Sequence, residues 1–261
     1  MKLVEIAAII GAAAWIPQIV SWIYKKYSKP VLRLILGPKL ELGYTAYGPI
    51  INFTCSISSQ KKDALIEKIT LKVTHEKGDT RLLTWKFLNE IQQQIRSYTG
   101  ETAEVSKNQP AIALKVPTIT LVEKIIGFQD LDFEEKFKIK VDKVVETYNF
   151  LKADNAIADA KKKLISAKEY KDLLEFFGNS MYWQEGNYFI DLNIKEVTLK
   201  KPFIEKFKFQ LSKIDIQSLN HNKTCLEKVL PVLLDLSVEK DQKPELPPWN
   251  WVNPTVQSIN Q

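Results

Sequence analysis

The sequence predicts a mainly β fold, an antiparallel sandwich carrying a helical hairpin insertion, set behind one N-terminal membrane-spanning helix. Two observations predict it. Residues 3–24 form a nearly unbroken apolar run. After Pro30 the hydrophobic pattern changes to strict alternation, the signature of half-buried strands.

The apolar run holds one charge, Glu5, near its start, and ends in Trp22, Tyr24, Lys25, Lys26 and Lys29. A span needs about 20 mostly apolar residues, and aromatic and basic residues suit its interfacial end. A cleaved signal peptide, a surface-lying amphipathic helix and a buried helix of the globular part are the competing readings. The first lacks a clean small-residue cleavage site, because the run stays apolar past Ala14. The second wants basic residues along one face, and the run has none inside it. The basic flank of Lys25, Lys26 and Lys29 predicts a single-pass membrane protein with its large domain on the cytoplasmic side. The same lysines would sit at the lipid surface among anionic head groups.

Within the run, Ala7, Gly11, Ala14, Gln18 and Ser21 are spaced four, three, four and three. At 100° per residue they share an arc of about 80°. Small and polar residues drive helix association in lipid, where apolar faces gain nothing from meeting. This stripe is therefore expected to bind another copy or another membrane protein. Pro17 lies off the stripe and is expected to bend the last turns.

The remaining chain alternates. Ile51, Phe53, Cys55 and Ile57 face one way, as do Ile69, Leu71 and Val73, then Leu83, Trp85 and Phe87. Phe137, Ile139 and Val141 follow, then Tyr188, Ile190, Leu192 and Ile194, then Phe207, Phe209 and Leu211. Weaker strands are expected at residues 31–36, 112–116 and 118–122. Residues 76–79 between two such runs predict a hairpin. Gly37-Pro38 reads as a turn, and residues 91–97 as a short helix or a loop. Residues 154–177 break the alternation with helical spacing, and Ser166 and Glu169 form a capping-box pair. Gly178 is the expected stop. Helical propensity returns at 214–220 and 224–234, interrupted by Pro231.

Residues 181–188, Met-Tyr-Trp-Gln-Glu-Gly-Asn-Tyr, lead into a late strand. A Gly-x-Tyr opening there, followed by a hairpin partner, resembles the last strand pair of immunoglobulin-like sandwiches. The resemblance covers residues 183–211 and concerns fold only. It implies a tyrosine corner at Tyr188. The expected organisation is an anchor with its basic flank at 1–29, a sandwich at 31–150, a helical hairpin at 153–178 and a second β/α part at 179–237. A Pro- and Trp-containing tail follows at 238–261.

Chemistry is sparse. The chain has 261 residues, a net charge of +6, two cysteines and two histidines. Half the net charge sits in the first thirty residues, so no basic patch points to nucleic acid. No phosphate loop, HExxH, GxSxG or CxxC motif is present. His221 and Cys225 stand four apart, but two ligands make no zinc site. Asp130, Asp132, Glu134 and Glu135 cluster at an expected strand start. Cys55 sits on the apolar phase of its strand, and Lys161–Lys163 suit the wet side of a helix. No catalytic, cofactor or metal residue is expected. The expected function is a membrane-anchored, non-enzymatic binding or assembly module. A ligand-responsive sensor subunit and an enzyme of unfamiliar site are the alternatives.

Overall fold

The computed structural model describes residues 14–96, 102–234 and 248–259. The first helix, α1 (Ile16–Tyr27), has 12 residues and spans about 18 Å at 1.5 Å per residue. A bilayer core is about 30 Å thick. Residues 14 and 15 form a turn ahead of it. Pro17 does not bend the helix but opens it, in the first turn where a missing N–H costs nothing. No helix among the described residues is long and apolar enough to cross a membrane. The expected span over residues 3–24 is corrected on that finding, and the single-pass membrane location and cytoplasmic orientation go with it. Ala7 and Gly11 lie outside the described residues.

The strands are β1 (Val31–Thr45), β2 (Gly48–Gln60), β3 (Ala64–His75), β4 (Thr80–Arg96), β5 (Thr102–Pro110), β6 (Leu114–Val116) and β7 (Leu121–Asp130). Three helices follow, α2 (Leu131–Asp154), α3 (Ile157–Ser166) and α4 (Lys168–Ser180). The chain ends with β8 (Gly186–Glu196), β9 (Phe203–Leu211), α5 (Lys213–Leu233) and β10 (Gln257–Ser258).

All strands join one antiparallel sheet in the order β1-β2-β7-β4-β3-β8-β9-β10, with β5 on β4 and β6 on β3. This corrects the immunoglobulin-like sandwich to a nearly closed, barrel-like sheet. Period-two alternation looks the same in both architectures, because each hides one face of every strand. What separates them is curvature and closure. Register shifts interrupt β1 between Leu36 and Leu40, β3 between Ile66 and Lys68, and β4 between Trp85 and Phe87. Such bulges bend and coil a sheet. Gly37-Pro38 therefore sits inside a strand, not at a turn.

The C-terminal segment closes the seam. Leu42 and Val252 exchange backbone hydrogen bonds of 2.8 and 3.0 Å, and Leu40 N–H donates to Pro254 O at 3.1 Å. Gln257 and Ser258 then pair with β9. A strap thus links the first strand to the last regular one. The strap is pinned by Asn222, fully buried on α5, which exchanges two 2.8 Å hydrogen bonds with the Asn250 backbone. Trp251 lies so close over Gly43 that a Cβ there would come within 2.4 Å of the ring.

The barrel interior is filled by residues such as Phe53, Ile57, Ile66, Leu71, Leu83 and Phe128, with Phe53 edge-on to Phe128. A second core caps one end, where Tyr44, Phe133, Val144, Leu164, Leu173, Phe177 and Leu230 meet. The Tyr44 hydroxyl donates to the Phe177 carbonyl there. Phe137, Ile139 and Val141 belong to α2, not to a strand. Phe133, Phe137, Val141, Val144, Tyr148 and Leu151 recur at helical spacing and pack on this core. Ile139, taken for an inward strand residue, is 52% exposed.

Three smaller expectations also change. No side chain caps α4, whose N-cap is Ala167, so the Ser166/Glu169 box is not formed. Gly178 lies within α4, and α5 continues through Pro231.

Candidate ligand cleft at the helix-capped end

Strand register brings the ends of β3 and β7 and the starts of β4 and β8 to the capped end. There β7 runs directly into α2. Asp130 is the last residue of β7 and the N-cap of α2. Its Oδ1 accepts from the Asp132 N–H at 2.9 Å and the Phe133 N–H at 3.4 Å. Asp132 and Glu134 occupy the first turn, where negative charge offsets the helix dipole. The acidic cluster is therefore a helix start and not a strand start.

On the other side, α4 ends at Ser180 and the chain runs extended into β8. Gly186 opens that strand at φ +133°, a conformation that side chains rarely adopt, and a Cβ there would meet Glu76 and His75. Tyr188 follows. Its hydroxyl donates to Gln184 O at 3.1 Å and accepts from the Gln184 N–H at 2.7 Å. The back-bonding implied for a tyrosine corner is thus present, in a barrel-like sheet. His75 is buried, with its ring centroid 4.7 Å from that of Tyr188. Its Nδ1 accepts from the Lys77 N–H at 3.4 Å, which makes Nε2 the protonated nitrogen facing Glu185 O at 3.2 Å.

Between these elements is a cleft of two lobes. The smaller, about 110 Å³, is lined by His75, Asp79, Arg81, Gln184 and Tyr188 among others. The larger, about 270 Å³, is lined by Asp130, Asp132, Lys136, Phe176, Asn179 and Ser180 among others. Arg81 and Tyr182 line both. The Arg81 guanidinium carbon stands 5.1 Å from the centre of the Tyr182 ring, at cation–π range.

Tyr182 is unusual in one respect. Its hydroxyl is buried and, among the described residues, has no hydrogen-bond partner. The indole N–H of the adjacent Trp183, a residue 3% exposed, also lacks one. A buried polar group left unpaired costs about 1–3 kcal/mol. Burial raises the Tyr182 phenol well above its ordinary pKa, Asp130 adds to the rise, and Arg81 opposes it. The hydroxyl is a neutral donor and acceptor at physiological pH, not a base.

Of the positions singled out from sequence, Asp130, Asp132 and Tyr188 line this cleft, and the described residues of the helix stripe and basic flank do not. Ala14, Gln18 and Ser21 are exposed on or beside α1, and Lys29 is exposed after it. The Lys26 ammonium lies 4.8 Å from the Trp22 ring centre. Lys25 falls within α1. His221 is exposed while Cys225 is 2% exposed, so the pair does not converge. Cys55 is a core residue, and burial pushes its thiol up to about 12. Among the described residues, no group of three or more His, Cys, Asp or Glu could hold a metal ion.

No protein-family model matches this chain, and no curated protein matches it. Among solved structures, it is similar to a family 123 glycoside hydrolase from Clostridium perfringens. That likeness has 7% identity and a TM-score of 0.32, and it covers 70% of this chain and 27% of the other. At that score it carries no argument, and the comparisons assign neither an enzymatic nor a non-enzymatic role.

Proposed function

We propose that the chain is a binding module, not an enzyme, and that its ligand seat is the Arg81–Tyr182 cleft. The observation that carries this reading is the unpaired, buried Tyr182 hydroxyl in a cleft lined by charges of both signs. Arg81 and Lys136 suit a carboxylate, Asp130 and Asp132 an ammonium, and Asn179 and Ser180 neutral polar groups. A small zwitterion of amino-acid size matches this lining and the volume of the larger lobe. Binding is favoured over catalysis because the groups have other duties or the wrong protonation. Asp130 caps a helix, and the Tyr182 phenol is held protonated.

The test is melting temperature and amide NMR shifts of the full chain with each free amino acid at about 10 mM, a concentration suited to weak binders. Their N-acetylated forms, which lack the ammonium charge, serve as controls. At least one zwitterion should stabilise the chain and shift cleft resonances, while Arg81→Gln and Tyr182→Phe abolish both effects. Silence across the whole panel would sink the proposal.

A second reading rests on α1. Ile16, Ile19, Val20, Ile23 and Tyr27 are each 44–72% exposed and share an arc of about 100°. In water such a bulky face is the one that gains by burial, so a second copy would pack there and not on the Gln18–Ser21 side. Sedimentation of the wild type and of Ile23→Glu checks it. A concentration-dependent dimer lost in the variant supports the reading, and a wild-type monomer throughout refutes it.

A further inference from the structure

A second recess lies on the outer face of the sheet, where β1, β2 and β7 meet the C-terminal strap. It measures about 260 Å³ and is lined by Lys39, Glu41, Asn52, Thr54, Ile125 and Asn253 among others. Glu41 and Asn52 are cross-strand partners, and the same rung continues to Gly127. Ile51 and Phe53 point into the barrel at 0% and 2% exposure, so alternation turns Asn52 outward. Yet Asn52 is only 9% exposed.

Its amide has one partner. Nδ2 donates to Glu41 Oε2 at 2.7 Å. That contact fixes the orientation, because a carboxylate only accepts and a flipped amide would set oxygen against oxygen. Oδ1 is therefore the end left over, buried and without a donor. Beside it, among the described residues, the Glu41 carboxylate makes no ion pair.

A lone acceptor next to an unpaired carboxylate is a two-acceptor fork. Its complement is a planar cation with two parallel N–H donors. A guanidinium has that shape and is always charged, whereas an ammonium is a compact, strongly hydrated point charge without the fork. We infer that this recess binds an alkylguanidinium group, one N–H bonding Asn52 Oδ1 and a neighbouring one bonding Glu41. Ile125 offers apolar contact to the alkyl stem. The group can come from a free guanidino compound or from an arginine side chain in a peptide.

The experiment follows the Asn52 side-chain amide by NMR in the full chain. Ethylguanidinium is titrated to about 20 mM, with ethylammonium as the matched cation, a range that reaches millimolar Kd. Saturable shifts are expected with ethylguanidinium, with ethylammonium roughly tenfold weaker or worse. Glu41→Gln, a conservative surface change, and Asn52→Leu should each weaken ethylguanidinium binding about tenfold, with the melting temperature confirming a folded chain. Shifts that do not saturate, equal binding of the two cations, or undiminished binding in Glu41→Gln would each overturn the inference. Free L-arginine and the peptide Gly-Arg-Gly then distinguish the two sources. Tighter binding of either supports the site, and binding of neither overturns it.

Discussion

Two buried polar groups, one at each end of the barrel, are treated in opposite ways. At the end away from the helical cap, Glu196 is 2% exposed and saturated. Its Oε2 accepts from the Thr198 N–H at 2.8 Å, the Thr198 hydroxyl at 2.7 Å and the Leu199 N–H at 3.0 Å. Its Oε1 accepts from the Leu65 N–H at 3.3 Å. That carboxylate pins the β8–β9 turn to β3. At the capped end, the Tyr182 hydroxyl is equally hidden and makes no hydrogen bond. Saturated buried groups hold the fold, whereas an unsaturated one weakens it and needs a different explanation. The contrast separates a structural end from an end with binding capacity to spare.

The largest expected effect tests the saturated side. Glu196→Leu leaves the N–H groups of Leu65 and Thr198 without their carboxylate acceptor, and should cost about 3 kcal/mol. Tyr182→Phe is its counterpart. It removes a hydroxyl that bonds nothing, and should leave stability unchanged or raise it by up to about 1 kcal/mol. Urea unfolding of the two variants measures both values. A Tyr182→Phe loss as large as that of Glu196→Leu would break the comparison, because the hydroxyl would then be holding structure.

The same contrast explains what could be read from the sequence. Most strand faces were legible, since Ile51, Phe53, Ile69, Leu71, Ile190 and Leu192 all point inward as their alternation requires. The hairpin at residues 76–79 was legible from its turn residues, and Gly78 there takes φ +98°. The α2 region misled because Phe137, Ile139 and Val141 alternate over a short window. The longer 133–137–141–144–148 spacing and the cap at Asp130 outweigh that window. The apolar run near the N-terminus misled because hydropathy alone does not mark helix bounds, and α1 runs from Ile16 to Tyr27. Barrel closure depends on a strap more than 200 residues from its β1 partner. The cleft was hidden for a similar reason. Arg81, the Asp130–Lys136 segment and Tyr182 come from three separate stretches, and no local motif links them.

The smallest expected effects compare one exposed carboxylate from each end. Asp63, at the far end, accepts from the Thr118 N–H at 2.8 Å and its hydroxyl at 2.9 Å, and pairs with Lys115 at 3.3 Å. These contacts, the Thr118 backbone bond first, hold its pKa below the ordinary 3.8. Glu76, at the capped end, accepts from the Asn187 side chain at 2.7 Å and backbone at 3.1 Å. Those bonds hold it below the ordinary 4.5. Both folded-state values are lowered, so each contribution to stability is complete above the ordinary value and is lost as pH falls through the folded one. Asp63→Asn and Glu76→Gln should therefore each flatten the stability–pH curve on the acid side of those ordinary values, and leave its slope near neutrality unchanged. Salt then distinguishes the ends. Part of the Asp63 contribution comes from a solvent-exposed ion pair, which about 0.5 M salt screens. The Glu76 contribution rests mainly on a neutral amide, which salt leaves alone. Acid-side flattening that shrinks with salt for Asp63→Asn and persists for Glu76→Gln is the expected pattern. Equal salt sensitivity would mean that charge, and not the Asn187 hydrogen bonds, holds the start of β8 beside the cleft.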